Sequence, residues 1–243
     1  MSLESKDLTP AIVLTGTIVP NTDLYTKYIN PQQRRQEYLD ALSFYSQFGR
    51  VYFLENSSYP LEADSDFQSI PNVVLRKSPV SDFPQRGKGF QEFEMLDFWL
   101  ARENDMPQSW LKVTGRYIYF YFQEIYNECL NSPDKKMIIN QYLFSKWSDT
   151  GLFFVQTDYY KKNIVGIYSQ CNDREGSFVE AVLFKKLRSL NEKEFKRFSN
   201  PLTCAGIAGH TGKKIQNQWR DVINLRVREV NYIFDKRYIW LSF

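Results

Sequence analysis

The fold is decided by residues 11–54, AIVLTGTIVPNTDLYTKYINPQQRRQEYLDALSFYSQFGRVYFL. Within this stretch, Ala11–Thr15 is a short apolar run rich in β-branched residues, which predicts a buried parallel strand. Asn30 and Pro31 supply an N-cap and a first-turn proline for the helix that follows. Val51–Leu54 is a second apolar run. The stretch therefore predicts a strand, a helix and a strand, which together make a right-handed βαβ unit.

The rest of the chain continues this alternation and then departs from it. Further strands are predicted at 73–75, 110–113, 137–143 and 152–156, and further helices after Gly89, at 158–163, at 177–190 and at about Lys214–Phe234. The strands at 137–143 and 152–156 follow each other closely and are expected to be antiparallel. The predicted fold is α/β, with a Rossmann-like, mostly parallel central sheet flanked by helices and with antiparallel additions in the second half.

Composition excludes several classes of protein. The net charge of +3 over 243 residues is too small for the concentrated basic face of a nucleic-acid-binding domain, but it suits a phosphate-bearing ligand or contact with an acidic membrane surface. The three cysteines are widely spaced, which argues against a disulfide framework and favours a reducing cytoplasm. The first ten residues lack a signal-peptide pattern, and no apolar run is long enough to span a membrane. We expect a cytoplasmic protein without a nucleic-acid partner, for which peripheral contact with the inner membrane face stays open.

Polar segments follow three of the predicted strands. They are Thr15-Gly16-Thr17, Glu55-Asn56-Ser57 and Thr114-Gly115-Arg116. Ligands of open α/β sheets bind beyond the carboxyl ends of the strands, so these segments are expected to meet at a binding site. Lys112 within its apolar strand and Arg116 after a glycine are typical of counter-charges for phosphate. The structural alternatives are a plain βα turn after the first strand and an ion pair between a cation of this segment and a carboxylate such as Glu94. For Arg116 the candidate partners are Glu92, Glu94 or another carboxylate.

Two glycine-rich segments with cations are candidate phosphate loops. Arg86-Gly87-Lys88-Gly89 precedes a helix, whose N-terminus favours anions. Residues 206–213, GIAGHTGK, combine glycines with His210, Thr211 and Lys213. Each segment is equally explained as a flexible connector. Because His210 is the only histidine, a zinc site is not expected.

The acidic residues divide into candidate bases and solvated charge. Asp173 and Glu180 lie before and within a predicted helix, where either could act as a general base. Ser177-x-x-Glu180 also matches a capping box, which is a sufficient structural reason for Glu180. Asp64-Ser65-Asp66 is formally a D-x-D motif, but it lies in a loop and is interpreted as solvated charge. No metal site is predicted, although a divalent ion on the substrate stays open.

Six segments together resemble a family of bacterial proteins tied to surface-polysaccharide and lipopolysaccharide synthesis. They are IVLTGTI at 12–18, FLENSSY at 53–59, RGKGFQEFEML at 86–96, LKVTGRYI at 111–118, GSFVEAVLFKKL at 176–187 and GIAGHTGK at 206–213. The layout also resembles that of GT-A glycosyltransferases. The resemblance implies one domain over residues 1–243, with a nucleotide-binding half at 11–118 and an acceptor-side half at 119–243 that includes the C-terminal helix.

The resemblance implies a glycosyltransferase that moves a sugar from a nucleotide-sugar donor to a glycan or lipid-linked acceptor. The implied donor contacts are Thr15, Gly16, Thr17, Glu55, Lys88, Lys112, Thr114, Gly115, Arg116, His210, Thr211 and Lys213. Glu180 or Asp173 would serve as the acceptor base. Thr114-Gly115-Arg116 occupies the region of the GT-A D-x-D motif, so either cations replace the metal as counter-charge to the diphosphate or the GT-A analogy fails. No cofactor is expected. The alternatives are a nucleotidyltransferase or similar nucleotide-binding enzyme and a non-catalytic glycan- or protein-binding module.

Overall fold

The computed structural model describes residues 9–21, 27, 30–143, 145–207, 212 and 214–215. The strands are β1 (Ala11–Gly16), β2 (Val51–Glu55), β3 (Val73–Lys77), β4 (Ser109–Thr114), β5 (Ile118–Tyr119), β6 (Met137–Tyr142), β7 (Trp147–Gln156), β8 (Phe195–Lys196), β9 (Cys204–Ile207) and β10 (Lys214–Ile215). The helices are α1 (Pro31–Tyr45), α2 (Ser65–Ser69), α3 (Lys88–Arg102), α4 (Phe122–Leu130), α5 (Thr157–Asn163) and α6 (Val179–Arg188).

The main sheet has the strand order β3-β2-β1-β4-β7-β6-β8. Strand β1 is parallel to β2 on one side and to β4 on the other, and β3 continues the parallel half. Strand β7 is antiparallel to both of its neighbours, and β8 is parallel to β6. The predicted α/β fold is therefore confirmed, with its mostly parallel sheet and its antiparallel addition in the second half.

Two hydrophobic cores cover the two faces of the sheet. Alternate residues of β1 supply each core, Ala11 and Val13 on one face and Ile12 and Leu14 on the other. The first core is covered by α3, α5 and α6, and the second by α1, α2 and α4. Because both faces of β1 are buried, the strand consists of a continuous apolar run rather than an alternation of apolar and polar residues.

The first helix begins where the sequence predicts. The side chain of Asn30 accepts hydrogen bonds from the backbone N–H groups of Gln32 at 3.0 Å and Gln33 at 3.1 Å. Pro31 occupies the first helical position. A backbone N–H at this position has no hydrogen-bond partner within the helix, so proline is tolerated there. The helix following β1 is thus started by local chemistry alone.

Two predicted helix starts are wrong. Helix α6 begins at Val179 after Phe178 and has no side-chain cap, so the predicted capping box is absent. The reason is that Ser177 is held in a tight turn, in which it exchanges backbone hydrogen bonds with Asn172. At the other predicted start, the strand β10 pairs with β9. The remainder of the predicted C-terminal helix lies outside the described residues.

The cysteine and membrane predictions can be compared with the described residues. All three cysteines carry free thiols, two of them buried. No helix in the described part of the chain is long and apolar enough to cross a membrane.

Candidate functional site

A cleft of about 540 Å³ opens at the carboxyl edge of the parallel strands. The ends of β1 and β4, the N-termini of α3 and α6 and the first turns of α1 surround it. Because β7 is antiparallel to β4, its first residues also reach this edge. The volume is in the usual range for small-molecule sites. Of the residues predicted to act here, eight line the cleft: Thr15, Gly16, Thr17, Lys88, Thr114, Arg116, Asp173 and Glu180.

Three cations share one side of the cleft. Arg34 and Arg116 are almost completely buried and Lys88 is half-buried. Burial lowers the pKa of Lys88 to about 8, helped by the positive charges of Arg34 and Arg116. Burial, together with the charge of Arg116, also lowers the pKa of Arg34. Like charges placed this closely repel each other, and an anion in the cleft would relieve that repulsion.

Arg116 also has a structural partner. One of its terminal nitrogens donates to Oε2 of Glu37 at 2.8 Å and to the carbonyl of Ile207 at 3.2 Å. Burial works against its charge, but Tyr38 and Glu37 outweigh burial and raise the pKa of the guanidinium. Arg116 thus lines the cleft and is also ion-paired, with Glu37 as its partner.

Arg34 is a cleft residue that the sequence analysis did not identify. Its guanidinium donates from Nε to the carbonyl of Thr17 at 2.8 Å, which fixes the loop after β1. The signal was present in the sequence, because residue 34 lies on the buried face of α1 together with Tyr38, Ala41 and Tyr45. An arginine on the apolar stripe of a helix next to a strand end indicates a functional or buried pairing role.

Glu180 is a cleft carboxyl group with a raised pKa. Burial raises its pKa to about 7, and the neighbouring carboxylates of Glu92 and Asp173 contribute to the shift. Its Oε1 accepts a hydrogen bond from the hydroxyl of Thr150 at 3.3 Å. A carboxyl group that titrates near neutral pH can accept a proton and release it again at working pH.

Asp173 acts instead as the cap of α3. Its Oδ2 accepts the backbone N–H of Lys88 at 3.2 Å, at a helix start that has no cap of its own. Gly87 has a φ of 100°, and a Cβ there would lie 2.0 Å from Oδ2 of Asp173. The helix N-terminus predicted to bind a phosphate is therefore partly satisfied by the chain's own carboxylate. This leaves Glu180 as the better candidate of the two predicted bases.

Lys112 lies beneath the cleft and not on its surface. Its ammonium is fully buried and forms an ion pair with Oε1 of Glu92 at 2.7 Å, so its partner is Glu92 and not Glu94. It also donates to the carbonyl of Thr150 at 2.6 Å and to the hydroxyl of Thr114 at 3.0 Å. The hydroxyl of Thr15 donates to the same Glu92 oxygen at 2.5 Å. The predicted direct donor contact of Lys112 is thus replaced by a network that supports the floor of the site.

Glu55 is also placed away from the cleft. Its buried Oε1 accepts the backbone N–H groups of Ile18 at 3.1 Å and Ser57 at 3.0 Å, and Lys77 pairs with its other oxygen. These bonds tie the loops after β1 and β2 together, which corrects the predicted contact with base or ribose. Glycine at position 16 is explained by packing, since a Cβ there would lie 2.5 Å from the ring of Phe53.

Gly115 and Arg86 do not line the cleft. Gly115 packs under β1, where its N–H donates to the carbonyl of Thr15 at 3.0 Å. Arg86 donates to the backbone carbonyls of Cys171 and Ser169, so the side chain of this predicted phosphate-loop cation is occupied. His210, Thr211 and Lys213 lie outside the described residues.

The GT-A layout that the sequence resembles uses a D-x-D motif to hold a divalent metal, and Asp64-Ser65-Asp66 has this pattern. Among residues that the structure describes, no group of three or more histidine, cysteine or acidic side chains could hold a metal ion. Asp64, predicted to be solvated, instead caps α2 and forms an ion pair with Arg35 at 2.7 Å. Asp66 pairs with the same arginine at 2.5 Å. The D-x-D motif therefore closes a loop, and both of its carboxylates are engaged by Arg35.

Comparison with known proteins identifies the fold. The chain matches no protein-family model and no curated protein by sequence. A Desulfovibrio desulfuricans protein assigned as a nucleotide-diphospho-sugar transferase superimposes with a TM-score of 0.51 at 11% identity, over 78% of this chain and 79% of that one. The fold is GT-A-like.

Two further solved structures match the chain with similar TM-scores. A Bacillus anthracis protein assigned as a glucose-1-phosphate thymidylyltransferase gives a TM-score of 0.50 at 10% identity, over 84% of this chain and 91% of that one. The glycosyltransferase GlyE of Streptococcus pneumoniae gives 0.49 at 14% identity, over 79% of this chain. The matched region spans only 45% of the length of GlyE.

Proposed function

We propose that this chain is a glycosyltransferase that uses a nucleotide-sugar donor. The observation that carries the proposal is one cleft at the strand ends, in which Arg34, Lys88 and Arg116 lie together and Glu180 titrates near neutral pH. The cations suit a diphosphate, and the carboxylate suits an acceptor hydroxyl. The GT-A-like fold is compatible with this use of the cleft. The proposal includes a glycan or lipid-linked acceptor in bacterial surface-polysaccharide synthesis. The transfer would take place in the cytoplasm or at the inner face of the membrane.

The donor would lie along the half of the chain at 11–118. Its diphosphate would contact the three cations, and its base and ribose would lie toward Thr15 and Thr17 at the end of β1. His210, Thr211 and Lys213 stay predicted phosphate contacts. The half at 119–243 would present the acceptor side, to which α6 contributes Glu180.

The chemical step assigns separate roles to the two sides of the cleft. The acceptor oxygen attacks the anomeric carbon of the donor sugar while the bond from that carbon to the diphosphate breaks. Glu180 accepts the proton of the acceptor hydroxyl. Negative charge grows on the leaving diphosphate, so the cations bind the transition state more tightly than the ground state.

A nucleotidyltransferase is the second candidate function. The same cations would suit the triphosphate of a nucleotide that condenses with a sugar phosphate. The observation that favours it is the fold match to the Bacillus anthracis protein, which spans 91% of that chain. A non-catalytic glycan- or protein-binding module is the third candidate, and it requires no phosphate binding at the three cations.

A ligand screen separates these candidates. We expect nucleoside diphosphates and their sugar conjugates to raise the melting temperature, because a ligand that binds only the native state stabilises it. Hydrolysis or transfer should then release nucleoside diphosphate from a nucleotide-sugar. Release of pyrophosphate from a nucleoside triphosphate and a sugar 1-phosphate would identify the nucleotidyltransferase. The absence of a melting shift with every nucleotide would leave the non-catalytic module.

The same preparations test the role of metal. Arg34, Lys88 and Arg116 lie together in the cleft where the diphosphate is proposed to bind, and their charges could take the place of a metal ion. We therefore expect calorimetric binding of the nucleoside diphosphate to survive an excess of EDTA. Titration with and without Mg²⁺ or Mn²⁺ is the control. Complete loss of binding in EDTA would show that carboxylates of this chain hold a metal on the donor.

The role of Glu180 predicts a pH dependence. A base must be ionised, so kcat should rise with pH through an apparent pKa near 7. The Glu180→Gln variant should lose about 100- to 10,000-fold in kcat and should lack this limb of the profile. Glu175→Gln, in the exposed turn before α6, is the matched control. An unchanged profile in Glu180→Gln would remove the general-base role.

The same shift affects stability in a defined direction. Between the ordinary pKa of 4.5 and about 7, folded Glu180 holds a proton that the unfolded chain has lost. The contribution of this group to stability therefore falls as pH rises through that window and is constant above it. The melting temperature of Glu180→Gln should accordingly rise relative to that of the original protein between pH 5 and pH 8.

A further inference from the structure

Two aromatic side chains stand at the side of the cleft that carries Glu180. Trp147 is the first residue of β7, and Phe178 immediately precedes α6. Their ring centroids are 5.8 Å apart, with the planes inclined by 51°. Both rings line the cleft and both are only half-buried. These two residues are called the aromatic pair below.

The aromatic pair differs in burial from the core tryptophans of the described residues. Both hydrophobic cores of the described chain are built without Trp147 and Phe178. The buried tryptophans Trp99 and Trp110, in contrast, pack against each other inside the first core. Large aromatic rings left half-exposed in a cleft are available to a ligand, because contact with a ligand would remove their apolar faces from water.

Polar groups lie beside the aromatic pair. Glu180 is two residues beyond Phe178, and Thr150 is three residues beyond Trp147. Both line the cleft, and they are joined by the hydrogen bond from Thr150 to Glu180. The pair thus combines apolar ring faces with a hydroxyl and a carboxylate. This combination matches a pyranose, which has an apolar C–H face and a rim of hydroxyl groups.

The position of the aromatic pair separates it from the nucleotide end of the cleft. Strand β7 is two places from β1 in the sheet, with β4 between them. Val113 of β4 pairs with Leu152 of β7, and Trp147 lies five residues before Leu152. Two strand spacings of ~4.8 Å together with this offset place Trp147 more than about 10 Å from the end of β1. A nucleotide base placed toward Thr15 and Thr17 therefore does not reach the aromatic pair, and a sugar beyond the diphosphate does.

We propose that Trp147 and Phe178 form a binding platform for a pyranose ring, a proposal that rests on the function proposed above. The ring stacks on the aromatic pair, and its hydroxyls meet Thr150 and Glu180. Two sources supply this chemistry, the transferred sugar of the donor and a sugar of the acceptor. The platform determines sugar specificity and takes no part in holding the diphosphate.

Calorimetry on three variants tests the platform. The probes are UDP, GDP and dTDP, their glucose and galactose conjugates, and methyl β-D-glucopyranoside and methyl β-D-galactopyranoside added over saturating diphosphate. We expect Trp147→Leu and Phe178→Leu to bind the diphosphate within about twofold of the original affinity and to bind a sugar-bearing probe about tenfold more weakly. Phe120→Leu, an exposed phenylalanine away from the cleft, should change neither affinity.

The outcomes separate this proposal from the one on which it rests. If only the nucleotide-sugars bind more weakly to the variants, the platform binds the sugar ring of the donor. If the methyl glycosides bind more weakly, it binds a sugar ring of the acceptor. Both outcomes support the platform. Diphosphate binding with sugar affinities unchanged in Trp147→Leu and Phe178→Leu overturns it, as does diphosphate binding without any sugar contribution to affinity in the original protein. The absence of all nucleotide binding in the original protein instead overturns the proposed function.

Discussion

Replacement of Arg116 by alanine is expected to lower kcat by about 100- to 1000-fold, the usual effect of removing one transition-state counter-charge. The residue lines the cleft and lies within range of Lys88 and Arg34, where the leaving diphosphate would gain charge. Arg116→Lys keeps the charge but loses the planar fork that binds two phosphate oxygens, so at least about a tenfold loss is expected. Steady-state release of nucleoside diphosphate measures both effects.

The ion pair with Glu37 makes a stability effect certain to accompany the activity effect. Arg116→Ala leaves Glu37 without its partner at 2.8 Å, which costs about 1–3 kcal/mol. A melting temperature lower by roughly 2–12 °C follows for a chain of this size. Loss of stability in Arg116→Ala therefore does not by itself contradict catalysis.

Glu37→Gln is the matched control, because it breaks the same ion pair and keeps the arginine. Glu37 does not line the cleft. We expect it to lower the melting temperature by a similar amount, with kcat within about threefold of the original value. Unimpaired turnover by the folded fraction of Arg116→Ala would leave the ion pair as the whole role of this residue.

Replacement of Lys112 by methionine is expected to have the largest effect on stability. Methionine preserves the volume of the side chain but removes the charge that faces Glu92 at 2.7 Å. Removing one partner of a buried ion pair costs about 3 kcal/mol or more, which corresponds to a melting temperature lower by roughly 6–12 °C. Lys161→Met, at an exposed position of α5, is the control and should change it by less than about 2 °C.

The double variant distinguishes a structural from a ligand-binding role of Lys112. In Lys112→Met with Glu92→Gln, no unpaired carboxylate remains, so the two effects should be non-additive by at least about 1 kcal/mol. Thermal or urea unfolding of the four proteins measures this coupling. If Lys112→Met instead left stability unchanged and abolished diphosphate binding, Lys112 would be the direct donor contact predicted from the sequence.

The sequence was a good guide to the βαβ unit, where the signals are local. The apolar run of β1, the Asn30 cap and the proline after it fix the βαβ unit, because they act through the residue's own backbone and its nearest neighbours. The strand ends then follow from topology, since parallel strands finish at one edge. This is why Thr15, Thr114 and Arg116 were expected together and line one cleft.

Side-chain partners far apart in the sequence were not predictable in this way. Lys112 lies within an apolar strand, and Glu55 lies at the end of one. No local feature of the sequence distinguishes a charged side chain beneath the cleft from one that faces the ligand. Their roles depend on Glu92 and Lys77, which α3 and β3 bring into contact with them. The capping box at Ser177 failed for the same reason, because a turn closed by Asn172 competes for the same residue.

The sequence by itself determined the α/β class, the central strand and the edge of the sheet where a ligand would bind, because periodicity and helix caps are short-range properties and parallel strands end at one edge. Only the tertiary structure decided which charges reach that edge. Arg34 enters the cleft from α1, and Trp147 enters it because β7 runs antiparallel. Desolvation and the neighbouring acids then give Glu180 its pKa of about 7. Burial and charge proximity depend on the packing of distant segments, and so no pattern within a single segment contains them.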